Sequence, residues 1–304
     1  MSLRLLPAYA FVACASITLT AENLCPRNIA GLPMRIVENS LIVVPIRVND
    51  RGPYAFLVDT GAQISTVDST LASELHLQLQ GTAGVSGAIT YGRRNLATVD
   101  LVAAGKKSVA GLAVVIEDLS QLKAADPHIR GILGDNFLER FDLLIDNKRK
   151  LFCLDDSKSL ALATVGEHIP LIDPNGPPTD LPFTKPILIA AANPALAVEP
   201  LKLRLDSGTN VAMLHRANPR VTKLVSTRTL IFHHVVEGIE QVFAILPKSD
   251  LAIGNHRLHD LSFVVPAKPA RDIPPPREDG ILPTCGFRSV FISPSGHYAT
   301  VETW

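Results

Sequence analysis

Apolar and polar positions along the chain alternate in short runs, and the runs are broken by Gly, Pro, Asn and Asp. Residues 41–58, "LIVVPIRVNDRGPYAFLV", read as two strands around the polar turn "NDRG". The second strand runs into Asp59, and "VDSTLASELHL" (67–77) then has the pattern of a short helix. Gly-rich hairpin material follows in "GTAGVSGAITYGRRN" (81–95), then strand-like runs over 96–116. In "RGILGDNFLERFDLLIDNKRKLFCL" the pair Ile132-Leu133 meets Gly134, a short helix can start at Asp135, and two strands follow. Asp142 and Asp146 alternate on the first of these, which places both toward solvent or a turn.

The plan then repeats. After the Pro-rich connector "IPLIDPNGPPTDLPFTKP", the strand "LKLRLDSGTN" ends at Asp206 much as its predecessor ends at Asp59. "TLIFHHVVEGIEQVFAI" supplies further apolar segments, and a second Pro-rich loop leads into "GILPTCGFRSVFIS". The aspartates lie at 59 and 206, an offset of 147; the Ile-Leu pairs begin at 132 and 281, an offset of 149. Such matched offsets predict two copies of one unit. Short strands, frequent turns and few helical patterns make the class all-β.

Composition narrows the function. The 304 residues are 47% apolar and carry no net formal charge, and no basic patch marks a nucleic-acid surface. The uncharged run from Leu5 to Ala21 behind Arg4 reads as a secretory signal peptide, with cleavage after Ala15 or Ala21 and Cys14 as a candidate lipid-anchor site. The expected layout is therefore a signal peptide over 1–21, a first unit over 22–155, a connector over 156–185 and a second unit over 186–304. Export to a periplasm, cell envelope or exterior follows from that reading. Cys14, Cys25, Cys153 and Cys285 match no zinc spacing; with Cys14 removed or lipidated three remain, so at least one thiol is unpaired, Cys153 reads as a buried strand residue, and no disulfide framework is expected. Neither His233-His234 nor His256 and His259 have the acidic or cysteine company of a metal site, and no serine stands in a Gly-x-Ser-x-Gly context.

Asp59-Thr60-Gly61 and Asp206-Ser207-Gly208 remain as the candidate chemistry. A single Asp-x-Gly is ordinary turn chemistry. Two copies, each at the end of an apolar strand and each followed by an Ile-Leu pair, are a stronger signal. At these residues the chain resembles the aspartic proteases: "LVDTGA" resembles the retropepsin motif, and "LDSGTN" the second motif of two-lobed pepsin-type enzymes. The resemblance covers roughly 34–155 and 186–304. It implies an all-β, bilobal pepsin-like fold, two related β-barrel lobes with a cleft between them, and an endopeptidase whose water is activated between Asp59 and Asp206. It also implies Thr60 and Ser207 as hydroxyls that bond across the junction, with Gly61 and Gly208 allowing close backbone approach beside the aspartates; Thr209 and Ser65 read either as further hydroxyls there or as ordinary strand or turn residues. Tyr91 and Gly92 are candidates for the tip of a flap. A polypeptide substrate, no metal or other cofactor, no nucleic acid and a monomer complete the expectation, since one chain holds both motifs.

Two departures stand out. Pro283 occupies the position where Gly134 stands in the first unit, and proline supplies no N–H. The Gly-rich hairpin does not have pepsin's spacing. Both would suit an inactive relative that only binds peptides in the cell envelope. A short segment at 22–33 that masks the cleft is a further reading.

Overall fold

The computed structural model describes residues 25–86, 91–173, 187–222, 230–236, 239–268 and 277–304. The expected signal peptide and Cys14 lie outside them. The chain is mostly β, as the alternation predicts.

In the first half an eight-stranded sheet runs in the order Arg35–Val37, Leu41–Val48, Arg51–Val58, Ile129–Leu133, Ser65–Asp68, Lys107–Glu117, Tyr91–Ala104 and Leu79–Ser86. Arg47 and Val48 also pair with Ala103 and Val102, so the sheet curls back on itself. The "NDRG" turn works because Asn49 and Asp50 both take positive φ, a conformation these residues tolerate. Asn49 Oδ1 then accepts from the Leu101 amide at 3.0 Å, fixing the turn to the sheet. Short helices form at Ser69–Glu74, where Asp68 caps the Thr70 amide, and at Asp135–Leu138.

The second half has a seven-stranded sheet in the order Leu188–Ala191, Leu201–Asp206, Gly280–Pro283, Met213–Leu214, Val264–Pro266, Ile239–Ile245 and Leu230–Val236. The internal repeat is visible in the pairing. Phe56, Leu57 and Val58 run parallel to Gly131, Ile132 and Leu133; Leu203, Arg204 and Leu205 run parallel to Gly280, Ile281 and Leu282. Thr66 and Met213 then lie antiparallel to Ile132 and Ile281 respectively. The offsets of 147 and 149 read from the sequence are thus the register of two equivalent strand trios.

A six-stranded sheet joins the chain's two ends. It runs Leu32–Pro33, Leu151–Asp155, Asp142–Asp146, Ser289–Ser293, Tyr298–Glu302 and Ile169–Pro170, so strands near the C-terminus pair with the first half. Within the expected connector, Ser159–Ala163 is helical and Ile169–Pro170 is a strand. One apolar core runs through both halves and this sheet, from Leu32 to Val301. Phe56, Phe137, Phe152, Phe263 and Phe287 are among its largest fully buried side chains. Each stabilises the fold by about 1.5–3 kcal/mol relative to exposure.

Two expectations fail here. Asp142 does not face solvent: it is buried, and Ser293 Oγ, on the strand paired with its own, donates to its carboxyl at 2.6 Å. Cys25 and Cys153 form a disulfide. The pairing of Leu32 and Pro33 with Phe152 and Leu151 lays the N-terminal segment along the strand that carries Cys153, and so brings together residues 128 positions apart. Among the described residues Cys285 is the free thiol.

Candidate active site

Asp59 and Asp206 each stand at the end of a central strand, and the two loops that follow face each other. The contact is a reciprocal exchange. The Thr60 amide donates to Ser207 Oγ at 3.1 Å, and the Ser207 amide donates to Thr60 Oγ1 at 3.0 Å. Each hydroxyl then donates across the boundary to a strand carbonyl, Thr60 Oγ1 to Leu205 at 2.8 Å and Ser207 Oγ to Val58 at 2.8 Å. Both side chains are fully buried, so these bonds compete with no water.

The glycines allow the close approach. A Cβ on Gly61 would lie 2.3 Å from Asp206 Oδ2, and one on Gly208 would lie 2.4 Å from the Asp59 carboxyl carbon. Each carboxylate therefore lies against the backbone of the opposite loop. Asp59 Oδ1 accepts from the amides of Gly61 at 2.8 Å and Ala62 at 3.0 Å; Asp206 Oδ1 accepts from Gly208 at 2.7 Å.

Electrostatics separate the two. Burial raises the pKa of Asp59, opposed by the Gly61 and Ala62 amides, by Arg204 and by a hydrogen bond from Asp206. Burial also raises Asp206, and the neighbouring Asp59 charge adds to it, so this carboxyl is pushed up to about 8. Two carboxyls this close, Asp206 buried and Asp59 partly so, cannot both ionise easily. The direction is that Asp206 keeps the shared proton and Asp59, with one more amide donor, carries the charge.

The remaining candidates sort clearly. Thr209 does not reach the aspartates: its hydroxyl accepts from the Val211 amide at 3.2 Å within its own turn. Ser65 acts one step away, its Oγ accepting from the Gly134 amide at 3.0 Å and donating to Asn136 Oδ1 at 2.8 Å. Gly92 pairs with Val85 in the hairpin Leu79–Ser86 and Tyr91–Ala104; the Tyr91 side chain and residues 87–90 lie outside the described residues. The side chains of His233 and His234 lie outside them too, and His259 stands 3.1 Å from Asp250 at an exposed site. Among the described residues no group of three or more His, Cys, Asp or Glu side chains gathers as a metal site, and no helix is long and apolar enough to cross a membrane.

Pro283 fits its place. In the first half the Gly134 N–H needs Ser65 Oγ; in the second, Pro283 has no N–H and the position equivalent to Ser65 is Ala212, which has no hydroxyl. Donor and acceptor are lost together, and no buried polar group is stranded there.

Sequence reasoning missed three residues around the aspartates. Arg204 donates from Nη1 to the Gly61 carbonyl at 2.6 Å and from Nη2 to the buried Glu278 at 2.5 Å. Asp135 is buried with neither carboxyl oxygen hydrogen-bonded. The available signal for Arg204 was a cation inside a run that otherwise reads as a buried strand.

Residues 44–137 match the family model described as aspartyl protease. Among solved structures the chain is similar to a retropepsin-like aspartic protease from Rickettsia conorii, at 22% identity over 41% of this chain and 87% of that one, with a TM-score of 0.32. No curated protein matches the chain.

Proposed function

We propose, on the premise that this chain belongs to the aspartyl protease family, that it is an aspartic endopeptidase with Asp59 and Asp206 as its catalytic pair. The observation that carries this reading is the Thr60–Ser207 exchange, which holds the loops of the two aspartates together so that each carboxyl lies against the backbone of the opposite loop. The fold in this reading is two lobes, each contributing one aspartate to a cleft, with the hairpin around Gly92 as the flap. The lobes are residues 22–155 and 186–304, joined by 156–185.

The chemistry follows from the two protonation states. Ionised Asp59 takes a proton from a water held between the carboxyls, and the water oxygen bonds to the substrate carbonyl carbon. Protonated Asp206 gives its proton to the carbonyl oxygen, leaving a neutral tetrahedral diol. As the C–N bond breaks, Asp59 passes its proton to the amine nitrogen and Asp206 takes one back from a hydroxyl. Both carboxyls end as they began, so the cycle needs no metal. Placed acid and base groups of this kind contribute about 100- to 10,000-fold in rate each.

Supplying both aspartates from one chain suits a monomer acting on polypeptides. An exported protein is consistent with the Cys25–Cys153 disulfide and with the leader read from residues 1–21. The matched loss of donor and acceptor at Pro283 and Ala212 removes the main support for an inactive peptide binder.

The test is cleavage of a mixed peptide pool by the mature chain and its Asp59→Asn variant from about pH 3 to 7, with new termini read by mass spectrometry. Wild type should cut, the folded variant should not, and a statine-type transition-state mimic should block cutting. Equal silence, or equal cutting, from two folded proteins would sink the assignment.

A further inference from the structure

The equivalence of the two halves breaks at one charged position. By register the counterpart of Arg204 is Leu57, since Arg204 pairs with Ile281 as Leu57 pairs with Ile132. The counterpart of Asp135, which follows Gly134, is Thr284, which follows Pro283. One diagonal across the aspartates thus holds a guanidinium and a carboxyl, and the other a leucine and a threonine, all four largely buried.

Arg204 is poorly satisfied for a largely enclosed cation. Its Nη1 and Nη2 are used on Gly61 and Glu278, but its Nε is buried without a partner. Asp135 is 1% exposed and neither carboxyl oxygen is hydrogen-bonded. Both residues hold the loop after Asp59: Arg204 takes the Gly61 carbonyl, and the Asp135 amide donates to the next carbonyl, Ala62, at 2.8 Å. Retaining such groups in a protein interior is unfavourable unless they do something that an apolar pair could not.

We infer that Arg204 is a positioning residue for the aspartate pair: anchored on Glu278 and on the Gly61 carbonyl, it holds a fixed positive charge against the loop and sets the pH range in which the pair carries one proton. Asp135 is the buried carboxyl that shares this field. This rests on the proposed endopeptidase reading.

The charge acts in one direction on all three carboxyls. Arg204 opposes the upward push of burial at Asp59, Asp206 and Asp135 alike. Asp135 also feels Asp59, Glu139 and Asp206, each of which raises it further. On its other side Arg204 faces Glu278, with His215 Nε2 3.8 Å from the same carboxylate and Asp279 beyond. Burial holds His215 below its ordinary pKa, so it adds no second cation until the solution is more acidic than that.

The experiment compares wild type with Arg204→Gln, Arg204→Lys and the double variant Arg204→Gln/Glu278→Gln, the last leaving no unpaired Glu278 if the single change does not fold. Two readouts are taken: the pH profile of peptide cleavage, and direct titration of the aspartate carboxyl carbons by NMR on labelled protein. Loss of the cation should move the lower apparent pKa of the pair, and the acid limb of kcat/KM, upward by about one pH unit. Arg204→Lys should stay near wild type. A merely structural Arg204 would lower the rate and leave both curves in place, which overturns the inference. Wild type that cuts at no pH would refute the endopeptidase reading instead, and the NMR titration would still decide the role of Arg204.

Discussion

Thr60 and Ser207 hold each other's amide: each hydroxyl accepts the backbone N–H of the other residue, at 3.0 and 3.1 Å, from opposite halves of the chain. The exchange fixes the distance between the two aspartates more firmly than either half could alone. Thr60→Val keeps the shape, removes the hydroxyl and strands the buried Ser207 amide. It should cost about 1–3 kcal/mol of stability in urea unfolding. Cleavage should fall by about 100-fold, the effect of a misplacement near 1 Å. An unchanged kcat in a folded Thr60→Val protein would contradict this role.

Gly208→Ala tests the close approach from the other side. Its methyl would stand 2.4 Å from the Asp59 carboxyl carbon, a distance that no real contact tolerates, so Asp59 must move. The substitution lies at a partly exposed loop, and the fold should survive by circular dichroism. Peptide cleavage should drop at least about 100-fold, and the statine-type mimic should bind correspondingly less.

Pro283 and Ala212 predict a non-additive pair. Pro283→Gly introduces a buried N–H with no acceptor and should destabilise by about 1–3 kcal/mol. Adding Ala212→Ser recreates the Ser65–Gly134 arrangement of the first half and should recover part of that loss. A double-mutant cycle in urea measures the coupling; zero coupling would show that the two positions are independent.

Stability should respond to pH in opposite senses at two buried carboxyls. At Asp142, burial raises the pKa despite the Ser293 hydrogen bond. Its contribution is present below the ordinary carboxyl pKa and is lost as pH rises through the raised value. Asp142→Asn should therefore raise the melting temperature at pH 7 and have little effect at about pH 3.5. At Asp68, burial is outweighed by Lys123, Thr70 and the Leu119 amide, and the pKa is lowered. Its contribution is present above the ordinary value and is lost as pH falls through the lowered one. Asp68→Asn should destabilise at pH 7 and progressively less in acid.

The disulfide closes a long loop, between residues 25 and 153. Reduction, or Cys25→Ser with Cys153→Ser, should cost about 2–4 kcal/mol. Thiol titration of the denatured chain made from residue 22 onward should count one cysteine, Cys285, before reduction and three after it.

The local half of this protein is legible in its linear order. Each Asp-Thr/Ser-Gly stands where an apolar strand stops, each Ile-Leu pair returns beside it, and the matched offsets of these pieces are the register of two strand trios. Such features are carried by neighbouring residues and by periodicity, which a linear reading sees. Which distant groups share a low-dielectric space is set by the fold. It placed Arg204 and Asp135 on the loop of Asp59, paired Cys25 with Cys153, and brought the Ser293 hydroxyl, on a strand distant in sequence, to the Asp142 carboxyl. A charge in a strand looks the same in sequence whether it meets water or a buried partner. Its energy, and so its role, depends on what the fold packs against it.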